Sequence, residues 1–166
     1  MKSRSLVVMT ILALLLATTM VTMTTAQPTT ETEIVWRLET EEVEPEIRWL
    51  TETLALQIFD QEGDVYDVNA EKYIGTIDMQ IRFLIDIERL EGHANVKFVI
   101  ELDEEGEEGS ITGVMNGKIW YVDDPFEGDQ FISGRFAGNG AYHIHGRVSH
   151  QDIPEVDTVL LTGYKW

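Results

Sequence analysis

From Tyr73 to Glu88 the chain alternates. Ile77, Met79, Ile81, Phe83, Ile85 and Ile87 share one parity, while Thr76, Asp78, Gln80, Arg82, Asp86 and Glu88 share the other, with Leu84 as the exception. Successive side chains of a strand point to opposite faces, so a period of two over this length predicts a β-strand with one buried face. Glu91 to Asn95 (EGHAN) breaks the run. Val96, Phe98, Ile100 and Leu102 then alternate with Lys97, Val99 and Glu101. Two such runs around a short Gly/Asn segment predict an antiparallel hairpin.

The same reading continues downstream. Ile111–Val122, Phe131–Phe136, Ala141–Val148 and Asp157–Tyr164 read as strands, and Ile34–Leu38 and Val65–Val68 as shorter ones. Asp103–Gly109 (DEEGEEG), Asp123-Asp124-Pro125, Gly138-Asn139-Gly140 and Gln151–Glu155 carry turn residues. Ile47–Phe59 fits two templates. Val43, Ile47, Leu50, Leu54 and Ile58 make a helical stripe with Pro45 near its start. Leu50, Leu54, Leu56 and Ile58 also share a strand parity, and Trp49, Thr51, Thr53 and Phe59 favour the strand. Ten of the 13 Gly lie at Gly106 or beyond. Glycine inside strands marks bends and close backbone approach, so a Gly-punctuated meander should curl. The prediction is an all-β domain, a meander of about eight strands closing into a small barrel, with a two-sheet sandwich as the alternative.

The first 26 residues do not belong to that pattern. Lys2 and Arg4 precede an apolar run from Leu6 to Val21, and Thr24-Thr25-Ala26 offers small residues for cleavage. This is the layout of a secretory signal peptide; the alternative is an uncleaved anchor, since Leu6–Ala26 is long enough to span a bilayer. Gln27–Glu33 (QPTTETE) has nothing to bury and reads as a tether to a single domain over 34–166. An extracytoplasmic location follows from this reading. Removing 26 of the 166 residues would leave 140, and loss of Lys2 and Arg4 takes the net charge from −18 to −20.

Charge and composition narrow the function. With 30 Asp+Glu against 12 Lys+Arg, the chain lacks the clustered cations that nucleic acid or an anionic membrane surface requires. The cations left after cleavage are scattered, no two adjacent in sequence. The absence of Cys removes disulfides, thiolate metal sites and a thiol nucleophile. There is no Gly-x-Ser-x-Gly elbow, and Ser149 beside His150 is no catalytic pair, because adjacent strand residues diverge. The lack of a catalytic set favours a non-enzymatic role.

Three groups remain as candidate sites. His143 and His145 lie two apart on a predicted strand, so both imidazoles point to one side and could share a divalent metal ion, with His150 as a third ligand if the strand has ended by then. A hydrolase or isomerase built on that pair is one reading. Cupin barrels use a strand His-x-His too, but Ser149 and His150 stand where a cupin places Glu, and a second His motif is missing. The acidic loop Asp103, Glu104, Glu105, Glu107 and Glu108 could take up Ca²⁺, as in a structural envelope protein; further acids cluster at Asp123, Asp124, Glu127 and Asp129 and at Asp60, Glu62 and Asp64, none with EF-hand spacing. Trp120, Tyr121, Tyr142 and Arg147 are the candidate contacts for a small apolar or neutral ligand or a surface protein partner. Trp120 and Tyr121 are consecutive, so they must face opposite sides.

The tail Phe136-Ala137-Gly138-Asn139-Gly140, Gly146-Arg147-Val148 and Val159-Leu160-Leu161-Thr162-Gly163 resembles the Gly-rich last strands of dirigent and allene-oxide-cyclase-type barrels. The likeness covers fewer than about 30 residues, with Gly spacing one residue short, which on a strand reverses a face. It implies a barrel and carries no residue roles.

Overall fold

The computed structural model describes residues 30–41, 43–104, 107–124, 130–153 and 156–166. The predicted signal segment lies outside them. The barrel unit spans Glu31–Trp166. Among the described residues nine strands run in chain order: β1 (Thr32–Thr40), β2 (Glu46–Trp49), β3 (Leu54–Asp67), β4 (Lys72–Asp86), β5 (Glu91–Glu104), β6 (Glu107–Tyr121), β7 (Gln130–Gly140), β8 (Ile144–Ile153) and β9 (Val156–Lys165). From β3 to β9 each strand pairs antiparallel with the next, β9 pairs with β1, and β1 pairs with β3. That last ladder, Trp36↔Asp67 to Thr40↔Gly63, closes an eight-stranded barrel. The ninth strand, β2, takes the first part of the same β3 edge (Ala55–Ile58), where β1 does not reach. It covers backbone that would otherwise be an open edge.

The predicted barrel is the observed one, and no described residue is helical. The stripe Ile77, Met79, Ile81, Phe83 and Ile85 is buried, and Val96, Phe98, Ile100 and Leu102 face it from β5. Ile34, Trp36, Leu38, Ile111, Met115, Ile119, Phe136, Ile144, Val148 and Leu161 complete the core.

Several boundaries differ from expectation. The ambiguous stretch is strand, but split into β2 and β3 around a turn, and Val65 continues β3 instead of starting a new strand. Asp60, Glu62 and Asp64 therefore sit within β3, not on a loop. The predicted break at Glu91–Asn95 is the start of β5; the turn falls at Ile87–Leu90, where Leu90 adopts a left-handed φ of 55°. Gly138-Asn139-Gly140 ends β7, and the chain turns at Ala141–His143. β1 already begins at Thr32, inside the predicted tether.

Glycine explains the curvature. Gly113 pairs with Gly138, and the Phe98 ring lies across them: a Cβ at Gly113 would run into that ring, and one at Gly138 would lie 3.2 Å from it. The device recurs two strands on. Gly146 pairs with both Phe136 and Gly163, and a Cβ at Gly146 would sit 2.8 Å from the Phe136 ring. A large ring laid over a cross-strand glycine pair lets the sheet bend tightly without leaving a void.

Candidate functional site

Strand alternation fixes which candidates face water. Ile144 and Val148 are buried, so His143, His145 and Arg147 project from the outer wall, and all three are exposed. The register places Ala137, His145, Tyr164 and Glu33 side by side, and Arg135, Arg147, Thr162 and Val35 one row along. Between these rows lies an open groove of about 370 Å³ lined by Glu33, Arg135, His145, Arg147, Thr162 and Tyr164. Its floor is the backbone of Gly146 and Gly163.

Aromatic rings border the groove. Trp166 stacks on His143 at 5.6 Å and meets His145 edge-on at 4.9 Å, while Tyr164 lies tilted at 5.9 Å from His145. Tyr164 and Trp166 keep 43% and 38% of their surface exposed, enough for a ring face to be contacted from outside. His143 and Trp166 also exchange backbone hydrogen bonds, at 3.0 and 3.1 Å, which holds the chain end against this ladder.

Arg135 and Arg147 are direct cross-strand partners. Like charges so placed repel, and no ion pair among the described residues involves either. Ion pairs among the described residues include Arg37–Glu39, Arg48–Glu46 and Arg89–Asp86.

The remaining candidates disperse. β8 continues through Ile153, so the strand has not ended at His150. That residue falls on the inward stripe, pairs with Val159 and meets the Phe131 ring edge at 6.3 Å. It does not join His143 and His145, and among the described residues no three His, Asp or Glu side chains come together as a metal site. Asp103 and Glu108 face each other across the β5–β6 hairpin; Glu105 lies outside the described residues, as do Glu127 and Asp129. Trp120 is outward and stacks on Phe131 at 5.8 Å. Tyr121 is buried in the core, its hydroxyl donating a long 3.4 Å hydrogen bond to Gln57 Oε1, and burial pushes its pKa well above the ordinary value. Tyr142 is half-buried, edge-on to Trp36 at 6.3 Å with the Lys165 ammonium 4.7 Å from its ring centre. Of the four proposed ligand contacts, only Arg147 reaches the groove.

The sequence reading missed Arg135, Tyr164, Thr162 and Trp166. The outward parity of the last three was available from Leu161 and Gly163; their meeting with β8 was not, because it depends on the register. A second apolar spot, Ile47, Trp49 and Leu50, is exposed at β2.

No protein-family model matches this chain, and no curated protein matches it in sequence.

Proposed function

We propose that this is an exported, non-enzymatic binding module that engages a partner at the cell surface through its outer wall, at the groove over β7–β9. Export rests on the basic, apolar and small-residue layout of the first 26 residues. The binding reading is carried by one observation: two guanidiniums that form no ion pair among the described residues flank exposed aromatic rings over a glycine floor. The inside of the barrel offers less. Its positions are taken by the chain's own Trp36, Phe83, Phe98 and Phe136, which favours the wall for a neutral ligand. The wall is also the reverse of a lipid-facing barrel, polar outside and apolar within.

Shift mapping by ¹⁵N and aromatic NMR on the full chain tests this. Chitotetraose, a neutral sugar with faces for stacking, should move signals of His145, Tyr164 and Trp166 and leave Phe98 and Phe136 unchanged. N-phenyl-1-naphthylamine, an apolar probe, should not enter the core. Core shifts with the apolar probe, or none at the groove with the sugar, would overturn the reading.

A further inference from the structure

The groove is one end of a larger feature. Across the outer wall, the register aligns Leu84, His93, Lys118, Ser133, Ser149 and Leu160 in one row from β4 to β9. The next row is Arg82, Asn95, Asn116, Arg135, Arg147 and Thr162, and the third, from β5, is Lys97, Val114, Ala137, His145 and Tyr164. These rows hold five Lys or Arg, two His and no Asp or Glu, in a chain with 30 acidic residues. The acids border them: Asp86 and Glu91 on one side, Asp78 and Glu101 on the other, and Glu33 beyond β9. The barrel is sorted into acidic margins and a cationic waist.

Distance weakens the acids that lie farther along each strand. Asp60 on β3 is the diagonal cross-strand neighbour of Arg82, but along its own strand Arg82 lies four residues from both Asp78 and Asp86, roughly 13 Å. Charges that far apart are largely screened at physiological salt, where the Debye length is about 8 Å. An anion seated at the middle row meets the Arg135 and Arg147 guanidiniums at contact distance, with Glu33 at the groove's edge as the carboxylate it must avoid. The waist is long as well. Six strands extend it by roughly 24 Å, curving around an oblique path because barrel strands are tilted. A linear chain can follow such a path, whereas a flat or compact ligand cannot.

The neutral residues identify the chain chemistry. Between the cations stand Asn95, Asn116, Ser133, Ser149 and Thr162, amides and hydroxyls that exchange hydrogen bonds with hydroxyls; Asn95 Nδ2 already donates to Asn116 Oδ1 at 2.6 Å. Exposed Tyr164 and Trp166 close the row with ring faces. We propose that the waist binds an anionic polysaccharide bearing a carboxylate on successive sugars. The Arg135–Arg147 pair takes a carboxylate, the amide and hydroxyl ladder takes the sugar hydroxyls, and the aromatic pair stacks on a ring. This rests on the outer-wall reading above and names its partner.

Calorimetric titration of the full chain with sodium polygalacturonate tests it, against three comparators: the fully methyl-esterified polymer, neutral dextran and polyglutamate. The acid polymer should bind, weakening as salt rises, and the ester should bind at least tenfold more weakly. Arg135→Gln with Arg147→Gln should cost at least tenfold, while Arg48→Gln with Arg89→Gln, an equal charge change outside the waist, should cost less than twofold. Asn116→Asp, which adds one acid to the waist, should also weaken binding about tenfold. No binding of polygalacturonate, equal binding of its ester, or equal loss in the two double variants would overturn the proposal. Polyglutamate binding as tightly would overturn its sugar component. If chitotetraose still maps to the groove while polygalacturonate fails, the charge inference falls and the outer-wall reading stands.

Discussion

Replacing Tyr121 by Phe separates a buried hydroxyl from everything else that titrates in alkali. The phenol is buried at the end of β6, and burial holds its pKa well above its ordinary value. A free tyrosine titrates near about 10. Between that point and the folded-state pKa, the unfolded chain has lost the proton while the folded chain keeps it. Stability is therefore fully present below about pH 10 and falls above it, by about 1.4 kcal/mol per pH unit for this one group. Tyr121→Phe removes that dependence. It also removes the 3.4 Å hydrogen bond to the buried Gln57, a long contact whose loss should cost about 1 kcal/mol at neutral pH. Urea unfolding followed by circular dichroism, from about pH 8 to about pH 11, should show the variant less stable at the low end. The gap to wild type should narrow by about 1 kcal/mol over the last unit. Parallel curves across the whole range would refute the reasoning, because they would mean that this phenol ionises alike in both states.

Three further outcomes follow from the packing and the charge. Phe98→Ala empties the space across Gly113 and Gly138 and should cost about 3–5 kcal/mol, read from the urea midpoint; a loss under about 1 kcal/mol would contradict the ring-over-glycine packing. Gly146→Ala would place a Cβ 2.6 Å from Gly163 Cα and 2.8 Å from the Phe136 ring, so overpacking of about 1–3 kcal/mol is expected in the same assay, with no gain from the lost glycine entropy. A chain of net charge −18 repels itself, so raising NaCl from about 0.1 M to about 1 M should raise the melting temperature, as the Debye length falls from about 10 to about 3 Å; a fall would show that ion pairing outweighs repulsion.

What was legible in the sequence was local. The period of two gave β4 and β5 their faces, and the same parity put His143, His145 and Arg147 together, with Ile144 and Val148 on the opposite side. Glycine misled where it was read as punctuation. Gly92 and Gly138–Gly140 lie in strands, and Gly92 is there because a Cβ would strike the Leu84 carbonyl. The turn before β5 contains no Gly, Asn or Pro at all; Leu90 takes the left-handed conformation usually left to such residues. The cationic waist was invisible for another reason. Each of β4 to β8 supplies one Lys or Arg to it, a dozen or more residues apart in the chain, and only the register makes Arg135 and Arg147 neighbours. Scattered charge in one dimension became clustered charge in three.

Sorting charge in this way forgoes stability. Opposite charges facing each other across antiparallel strands contribute about 0.2–1 kcal/mol per pair, and like charges oppose folding. A wall selected for stability alone would mix Asp and Glu with Arg82, Lys97, Lys118, Arg135 and Arg147, since acids are the commonest charged residues in the chain. Instead the positions between Arg82 and Arg135 are Asn95 and Asn116. Asn116→Asp exposes the trade. The new carboxylate keeps the acceptor that Asn95 Nδ2 uses and faces the Arg135 guanidinium across β6 and β7. Stability should rise by up to about 1 kcal/mol while affinity for polygalacturonate falls. Both quantities come from one preparation, by thermal melting and by calorimetry. If the variant melts lower than wild type, Arg135 is not the unpaired cation that the register makes it. If it melts higher and binds unchanged, the waist is not where the polymer sits.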